Sequence, residues 1–388
     1  MNNNNTVTVA IADEYDMSTL ALEWRELEQV AKASVFQSWA WISCWLASLP
    51  PDVHPLLIRV SSGPKIMALG MLCRAKVRAK FGMARALLLN ETGAASLDCV
   101  TIEHNGLLCD PAMAGDVVEQ LALTLQKRGD WDEWVLSGVD RSVAEAHYES
   151  LAARMGWMVH TFGESPCYFV ELDKVRAGDN DHLAWLSVNT RYQVRRAIKE
   201  YGKRGAVQIE AARSVDEALA FFEQLKLFHQ RYWQARGKPG AFEPEFFEIF
   251  HRRFIEQGWS TGAVQLSRVS AGEHEIGYLY NLVHAQTIYS YQSGFNYEAD
   301  AKLKPGLVSH VLAIQAAMAG GFNYYDLLAG DGQYKRSLAT HSETMRWIRL
   351  RRPRFAFRLE ALARRVRDES RERLDALLNR TQLRSARH

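Results

Sequence analysis

The sequence has few cysteines and no long apolar run. Its 388 residues include five cysteines that are widely spaced and form no CxxC pair; they are Cys44, Cys73, Cys99, Cys109 and Cys167. A disulfide framework or a zinc site is therefore not expected, and we predict no metal site. No run approaches the ~20 apolar residues of a membrane-spanning helix. The first residues, MNNNN, lack the cationic and apolar segments of a signal peptide. We expect a cytoplasmic protein.

The sequence also lacks the fingerprints of the common nucleotide-binding folds. The stretch GFNYYDLLAGDGQYKRS (321–337) places glycines, a lysine and a serine after a strand-like run. A P-loop requires G-x-x-x-x-G-K-[ST], but here Gly330 and Gly332 are two residues apart and Lys335 does not follow a glycine. No G-x-G-x-x-G opens a helix after a first strand, as a dinucleotide fold would require. The stretch is therefore either a plain turn or the edge of another kind of site.

The composition is that of a globular protein with an uneven distribution of charge. Hydrophobic residues make up 47% and charged residues 24%, and the length suffices for two domains. From Arg349 to His388, 13 arginines face five acidic residues, a net charge of +8, whereas residues 1–348 carry −6. Apolar residues recur at helical spacing in this tail, at Phe355, Leu359, Leu362 and Val366. We predict a basic amphipathic helix over 353–388, which either docks on its own domain or contacts a membrane surface or a polyanion.

Strand and helix patterns alternate in both halves, which predicts an α/β (α+β) protein. The polar segment KVRAGDND (174–181) marks a linker between the halves. DVVEQLALTLQKRGDWDEWVLSG (116–138) can be laid over GLVSHVLAIQAAMAGGFNYYDLLAG (306–330) as helix, glycine, strand and glycine, which favours a duplicated unit. We predict two units, 7–173 and 182–350, packed as a pseudo-duplicate rather than as one continuous sheet. Only the second is expected to have an open groove.

The best candidate for phosphate binding lies upstream of the glycine-containing turn. The strand-like run Thr287–Gly294 leads through a loop into a helix that begins at Pro305 and Gly306. Proline in the first turn pre-sets the helix, and glycine lets a ligand approach the free backbone N–H groups. Lys302 and Lys304 add positive charge beside this helix N-terminus. We therefore expect an anionic group of a ligand to bind here.

These motifs together resemble the GNAT acyltransferase superfamily. The pieces are YQSGF (291–295), KPG (304–306) and YYDLLAGDGQYK (324–335), supported by VFQSWAWISCWLASL (35–49) and LKLFHQRYWQARGKPGAF (225–242). More narrowly, they resemble the CelD/BcsL-type branch associated with cellulose and exopolysaccharide biosynthesis, which is similar to the FemAB transferases built from two GNAT units. The resemblance covers about Ser34 to Leu350. It implies a tandem GNAT-like fold with a degenerate N-terminal unit and an acyl-donor site in the second unit.

For the donor, the resemblance implies acyl-CoA as co-substrate and no permanently bound cofactor. The splayed strand would offer backbone amides to the thioester carbonyl, and the helix N-terminus would hold the pyrophosphate. The residues implied are Gln292, Ser293, Lys304, Pro305, Gly306 and Leu307. The usual [QR]-x-x-G-x-[GA] loop is matched only at Gly306, because Leu303 and Val308 stand at its first and last positions. An aminoacyl-tRNA donor, as in the FemAB relatives, therefore stays open.

For catalysis, the resemblance places Tyr334 where GNAT enzymes carry the acid that protonates the leaving thiolate; the alternative is a tyrosine that only packs. Asp326 lies inside an apolar strand, where an unpaired carboxylate is costly. It should either pair with Lys335 or His229, or act as a base with a raised pKa. Lys335 would otherwise steady an oxygen of the acceptor or of a phosphate. His229 is the remaining catalytic candidate, against a purely structural role.

An acceptor cleft is predicted beside the motif FHQRYW (228–233) and the flexible ARGKPGAF (235–242). Aromatic side chains in these segments suit stacking on a sugar, and they suit a protein core equally well. The residues predicted to bind the acceptor are Arg231, Trp233, Tyr291 and Phe242.

Three functions are compatible with these features. The first is an N-acyltransferase acting on an amine, such as an amino sugar of a small or lipid-linked exopolysaccharide precursor. The second is an aminoacyl-tRNA-dependent transferase whose basic helix, with Arg191, Arg195, Arg196, Lys199, Lys203 and Arg204, would contact phosphates. We favour a solvated helix face for these residues, so nucleic acid is not expected as a partner. The third is a catalytically silent scaffold whose basic tail holds a membrane or a partner. For any of the three, the tail also allows a peripheral location at the inner membrane face.

Overall fold

The computed structural model describes residues 7–178 and 180–363. The strands in this part are β1 (Val7–Ala12), β2 (Leu56–Ser62), β3 (Lys65–Ala79), β4 (Gly82–Leu89), β5 (Leu108–Cys109), β6 (Glu133–Asp140), β7 (Met158–Glu171), β8 (Val207–Ala211), β9 (Val264–Ala271), β10 (His274–His284), β11 (Thr287–Phe295), β12 (Tyr324–Ala329) and β13 (His341–Arg351).

The helices accompany these strands in both halves. They are α1 (Met17–Glu28), α2 (Trp39–Ser48), α3 (Ala114–Lys127), α4 (Arg141–Val143), α5 (Ser150–Arg154), α6 (Leu172–Ala177), α7 (His182–Trp185), α8 (Val188–Tyr201), α9 (Val215–Gln234), α10 (Glu245–Trp259), α11 (Pro305–Ala319) and α12 (Gln333–Leu338). A last helix occupies residues 355–363, so most of the predicted basic tail (353–388) lies outside the described residues. No helix in the described ranges is long and apolar enough to cross a membrane.

Short-range signals in the sequence fix where several helices begin. The side chains of Ser38, Ser187 and Ser214 each accept a hydrogen bond from a backbone N–H in the first turn of α2, α8 and α9, respectively. Such caps satisfy amides that have no partner inside the helix. Pro305 occupies the first turn of α11, as its fixed φ favours.

The two halves repeat one unit. In the first half, β4 and β6 pair in parallel and are joined through α3; in the second, β11 and β12 pair in parallel and are joined through α11. Each parallel pair continues into antiparallel strands, β3, β2 and β1 in one half and β10, β9 and β8 in the other. The sequence overlay of 116–138 on 306–330 therefore matches equivalent α3–β6 and α11–β12 segments.

The strands nevertheless form one sheet, in the order β1-β2-β3-β4-β6-β13-β7-β12-β11-β10-β9-β8. The expectation that the halves would not share a continuous sheet is therefore wrong. The physical reason is a strand exchange: β13, from the second half, pairs with β6, and β7, from the first half, pairs with β12. β7 and β13 then pair antiparallel with each other over eleven residue pairs, from His341–Phe169 to Arg351–Met158.

Hydrophobic cores lie on both faces of this sheet. One core lies under α1, α2, α9 and α10 and runs through both halves. There Trp41 of α2 makes edge contacts with Phe250 and Phe254 of α10, with ring centroids 4.8 and 5.4 Å apart. Two other cores lie under α3 in the first half and under α8 and α11 in the second. Apolar burial therefore joins the halves in addition to the strand pairing.

The halves are offset so that the carboxyl ends of β6 and β12 meet near the centre of the sheet. Asp140 ends β6 opposite Met345, which pairs with Ser165 of β7. Ala329 ends β12 opposite Cys167 of β7. β12 is antiparallel to β7, whereas β6 has the same direction as β7. The carboxyl ends of β6 and β12 therefore approach each other from opposite directions. The loops that follow β4 and β12 can therefore reach one common place.

A histidine side chain bridges an aspartate at the end of β6 and an aspartate in β12. His104, from the loop after β4, places Nδ1 2.9 Å from Asp140 Oδ1 and Nε2 2.8 Å from Asp326 Oδ2. Burial by itself would lower the pKa of His104, but Asp326 and Asp140 outweigh burial and hold this pKa well above its usual range. Because both nitrogens face carboxylates, both donate hydrogen bonds and the ring is an imidazolium. The Cys167 thiol donates to the other oxygen of Asp326 across 3.4 Å.

We expect this imidazolium to stabilise the fold at neutral and acidic pH and to do so less at alkaline pH. Since the pKa is raised on folding, the contribution is complete below the unfolded-state pKa of about 6.5 and is lost as the pH rises through the folded-state pKa. The measurement is the free energy of unfolding in urea for the wild type and His104→Gln, from mildly acidic to alkaline pH. The difference should be largest at the acidic end.

The matched control is His341→Gln, since the His341 side chain is 49% exposed and 3.9 Å from its nearest carboxylate. This variant should follow the wild type throughout. A His104→Gln difference that stays constant or grows with pH would contradict the imidazolium bridge.

Candidate functional site

Strand β11 separates from β12 at the centre of the second half. The two strands pair only over Thr287–Tyr289 and Tyr324–Asp326. Beyond this point β11 continues to Phe295 along β10 alone, with a shift in register between Tyr280 and Asn281. Backbone groups along this edge of β11 are thereby released from sheet pairing. Ser293 N–H donates instead to Gln292 Oε1 at 3.0 Å, and Ser293 O accepts a hydrogen bond from His229. A ligand that uses the Ser293 amide must therefore displace the Gln292 side chain.

One side of the separated strand borders a groove of about 560 Å³. All six residues predicted to bind the donor line it: Gln292, Ser293, Lys304, Pro305, Gly306 and Leu307. Val308 N–H makes the first intrahelical hydrogen bond of α11, to Lys304 O, so the amides of Gly306 and Leu307 precede it. The first turn contains no acidic residue. This end of α11 is therefore suited to bind an anionic group, although donor binding by these residues stays a prediction.

A second pocket of about 270 Å³ lies between β11 and the end of β12. Residues of both halves line it, among them Thr101, Glu103, Tyr291, Ala329 and Lys335. Gln292, Ser293 and Tyr334 line both this pocket and the groove. The two spaces therefore adjoin one another along β11.

Tyr334 stands where the two spaces meet. It lies in the first turn of α12, its ring stacks on His310 with centroids 5.1 Å apart, and 38% of the residue is exposed. The phenol group lies among buried groups, which raises the pKa of Tyr334 to about 12. Burial of the imidazole, together with the nearby Lys335, lowers the pKa of His310 to about 3. At neutral pH the phenol therefore holds its proton beside a neutral imidazole.

Glu103 brings a carboxylate from the first half into the second pocket. It is 8% exposed, and Oε2 accepts a hydrogen bond from Ala329 N–H at 2.6 Å. Burial raises the pKa of Glu103, while the Ala329 amide and Lys335 counteract part of this rise. Glu103 was not predicted from the sequence. The one local signal is the mostly polar stretch TIEHNG (101–106), which lies in a loop between two buried strands.

The Glu103 loop is held rigidly against β6. Asn105 N–H donates to Gly138 O at 3.0 Å, and Asn90 Nδ2 donates to Asn105 Oδ1 at 2.9 Å. Gly138 has φ +63°, and a Cβ at this position would lie 2.6 Å from Ile102 O. Only glycine allows the loop to approach β6 so closely. The position of Glu103 in the pocket depends on this contact.

Of the alternatives given for Asp326, pairing is found, but with His104 and with neither Lys335 nor His229. The partner of Asp326 is His104, and its Oδ1 also accepts a hydrogen bond from Leu328 N–H at 2.7 Å. Lys335 Nζ donates to the carbonyls of Leu328 and Ala329, at 3.1 and 2.6 Å. Leu328 has φ +62°, an uncommon conformation for a branched residue that accompanies the register shift in β12. Burial lowers the pKa of Lys335, and neighbouring anionic groups oppose this effect.

The prediction of His229 as a catalytic group is corrected. Its Nδ1 donates to Ser293 O and its Nε2 accepts from Ala241 N–H, both at 3.1 Å. Burial lowers the pKa of His229, so the ring is neutral and neither nitrogen is free to act as a base. His229 instead ties the loop before α10 to the separated strand β11.

The four predicted acceptor residues have different environments. Trp233 lines the groove, and Tyr291 lines the second pocket. Phe242 is 8% exposed and packs in the core against Phe222 and Phe247, so its assignment to acceptor binding is wrong. Arg231 is exposed, lies over the Phe228 ring and lines neither space. Its helical position turns it away from both.

One set of side chains in the described ranges could ligate a metal ion. His104, Cys167 and Asp326 offer donor atoms that all lie within 4.8 Å of one another. The hydrogen bonds of His104 to two carboxylates account for this cluster, and we assign no metal to it.

The comparisons with known proteins agree with this geometry. Residues 188–336 match the family model of the acetyltransferase (GNAT) domain. No curated protein matches the chain in sequence. Among solved structures, FemX is similar with a TM-score of 0.57 and 12% identity, over 84% of this chain and 95% of that one. L-PGS from Bacillus licheniformis is similar with a TM-score of 0.51 and 12% identity, over 89% of this chain and 95% of that one.

A conserved protein of unknown function from Bacteroides thetaiotaomicron has a TM-score of 0.52 and 9% identity, over 89% of this chain and all of that one. At such identities the likeness concerns the fold. It agrees with the repeated unit found above, and the matched domain contains both the separated strand and α11. The protein therefore has a tandem GNAT-like fold, and residues 188–336 in its second half match the acetyltransferase (GNAT) domain.

Proposed function

We propose that the protein transfers an acyl group from acyl-CoA to the amine of a small polar acceptor, such as an amino sugar of an exopolysaccharide precursor. The observation that carries this proposal is the arrangement of two adjoining spaces along β11, with Tyr334 in the lining of both. A donor in the groove and an acceptor in the second pocket would meet at the backbone of the separated strand.

The groove has the properties that an acyl-CoA would require. Its volume of about 560 Å³ falls in the range of cofactor-binding clefts. The pyrophosphate would bind the amides of Gly306 and Leu307, beside Lys304. The thioester carbonyl would then lie along β11, whose released amides would stabilise the negative charge on its oxygen during the reaction. GNAT domains in general use acyl-CoA as co-substrate, which favours this donor over aminoacyl-tRNA.

The second pocket would hold the acceptor. Its volume of about 270 Å³ suits a molecule of monosaccharide size rather than a long chain. An amine is protonated at neutral pH and must lose a proton before it can attack. Glu103 is the carboxylate in this pocket that can bind the ammonium and take up that proton. A raised pKa makes it a stronger base than an exposed glutamate would be.

The reaction then balances with two protein groups. Glu103 takes the proton that the ammonium loses and releases it to solvent. The neutral amine then attacks, and the nitrogen–carbon bond forms as the carbonyl π bond opens to the oxyanion. The second nitrogen proton passes to Glu103. As the tetrahedral intermediate collapses, the carbonyl re-forms, the carbon–sulfur bond breaks and Tyr334 donates its proton to the departing thiolate. The phenolate recovers a proton through solvent, and Glu103 releases the one it holds. Lys335 would hold the carbonyls of Leu328 and Ala329 in the conformation that places the Ala329 N–H on Glu103. We therefore assign Lys335 a positioning role.

The first prediction concerns donor binding. Gly306→Glu should abolish the binding of acetyl-CoA, because it places a negative charge and added bulk at the anion site. A Cβ at this position would already lie 3.3 Å from the Phe295 ring. Titration calorimetry with acetyl-CoA and longer acyl-CoAs is the measurement.

The matched control is Gly115→Glu at the equivalent second position of α3. A Cβ there would be 3.7 Å from its nearest neighbour, His147, so the change is accommodated. The control should bind acyl-CoA as the wild type does. Unchanged affinity in Gly306→Glu would place the donor elsewhere.

The second prediction concerns Tyr334. Tyr334→Phe should keep the ring stacked on His310 and should bind acyl-CoA with nearly wild-type affinity. Turnover should fall by roughly 10²-fold or more, because one acid catalyst is removed. Tyr297→Phe, which removes another hydroxyl from the groove lining, is the control and should retain activity. Full turnover in Tyr334→Phe would exclude the phenol as the acid.

The third prediction concerns Glu103. Glu103→Gln keeps an oxygen that can accept the Ala329 N–H, so the fold should be retained. Turnover should fall by about 10²-fold or more, since the base is lost. In the wild type, kcat/KM should fall on the acidic side with an apparent pKa above that of an ordinary glutamate, since burial raises it. That acidic limb should disappear in the variant. An unaltered pH profile would show that another group accepts the proton.

A further inference from the structure

A row of exposed side chains runs along the outer face of α7 and α8. We name it the α8 stripe; its members are Trp185, Val188, Tyr192, Arg195 and Lys199. The three apolar members expose 50%, 77% and 59% of their surface, respectively, and the two basic members are also exposed. Val188 is the most exposed of all the large apolar residues described in the chain. This degree of exposure requires an explanation outside the fold.

The stripe lies opposite the face by which α8 joins the core. The buried residues of this helix are Thr190, Val194, Ala197 and Tyr201. At about 100° per residue, Val188, Tyr192, Arg195 and Lys199 fall within a narrow sector on the other side. The helix therefore has one apolar face for its own domain and a second, mixed apolar and basic face that its domain does not use.

The charge on this face is positive and largely uncompensated. Residues 181–204 contain six lysines and arginines but only Asp181 and Glu200 as acids. Lys203 pairs with Glu200 and Arg204 with Glu298. The other four have no carboxylate within 4.0 Å in the described ranges; they are Arg191, Arg195, Arg196 and Lys199. The aromatic end of the stripe thus continues into a cluster of free cations.

The stripe is connected to the groove through the end of α8. Ala197 and Tyr201 share a core with Leu303 and Val308, and Arg204 pairs with Glu298 at 2.7 Å. Glu298 and Leu303 line the groove. The same helix that carries the stripe on its outer face therefore contacts, with its buried face, the loop that leads into the groove.

We propose that the α8 stripe binds the surface of an anionic lipid bilayer. Tryptophan and tyrosine favour the interface between headgroups and acyl chains, and lysine and arginine favour anionic headgroups. Val188, in the middle of the aromatic part, would enter the acyl region, as apolar residues of interfacial helices do. A nucleic acid would use the same cations and could stack on the aromatic rings, but it would gain little from Val188. The proposal concerns membrane binding and does not depend on the identity of the acyl donor or the acceptor.

The test is flotation of the full chain with vesicles of phosphatidylcholine alone and with a third of phosphatidylglycerol. The wild type should float with the anionic vesicles, and raised salt should weaken the binding. Two double variants address the two parts of the stripe: Trp185→Ser with Tyr192→Ser, and Arg195→Glu with Lys199→Glu. Each should reduce binding by about tenfold or more. Because all four side chains are exposed, the variants should keep the wild-type melting temperature and acyl-CoA affinity.

The matched control makes the same chemical changes at another exposed apolar and basic site. Phe81→Ser with Lys80→Glu alters the tip of the β3–β4 hairpin, where Phe81 is 50% exposed. This control should float as the wild type does.

Three outcomes would overturn the proposal. The first is flotation that the stripe variants leave unchanged. The second is an equal loss in the hairpin control, which would indicate general attraction of a basic protein. The third is saturable binding of bulk tRNA that the stripe variants abolish while vesicles do not bind the wild type.

Discussion

The antiparallel pairing of β7 with β13 is the constraint on which the rest of the structure depends. Each strand pairs beside the parallel strand of the opposite half, so neither half completes its sheet alone. Since both strands lie at the centre of the sheet, separating the halves would leave many of their backbone N–H and C=O groups without partners. The pairing also fixes the offset that brings the ends of β6 and β12 together. The location of the site follows from that offset.

Charged side chains gather where the carboxyl ends of β6 and β12 meet, and each of them has a hydrogen-bond partner there. His104 stands between Asp140 of one half and Asp326 of the other, and Glu103 accepts the amide of Ala329. A buried carboxylate without such partners would be costly. The same low-polarity surroundings that demand these partners also raise the pKa of Glu103 and Tyr334. Stability and reactivity therefore have the same physical origin here.

The two copies of the repeated unit contribute differently to the site because the segments that follow β4 in the first half and β11 in the second half differ. In the second half, a loop of residues 296–304 leads from β11 to the N-terminus of α11, which lines the groove and carries no acidic residue. In the first half, the longer segment between β4 and α3 reaches over to the other half and contributes Glu103. Helix α3 itself carries Asp116 in its first turn, which opposes anion binding. The first half thus supplies a wall of the second pocket.

The sequence by itself determined the repeated α/β unit, the start of α11 at Pro305 and the cluster of residues around the groove. These features depend on neighbours in the chain: hydrophobic periodicity, a proline in a first turn, and a glycine beside it. Only the tertiary structure decided the strand exchange, the partner of Asp326 and the presence of Glu103, because each joins residues more than 150 positions apart. His229 and Phe242 could not be assigned from the sequence for the same reason. Their motif is compatible with a cleft or with a core, and only the packing of distant segments distinguishes a cleft from a core. Local patterns specify elements, whereas burial and pairing between distant segments decide which side chains meet.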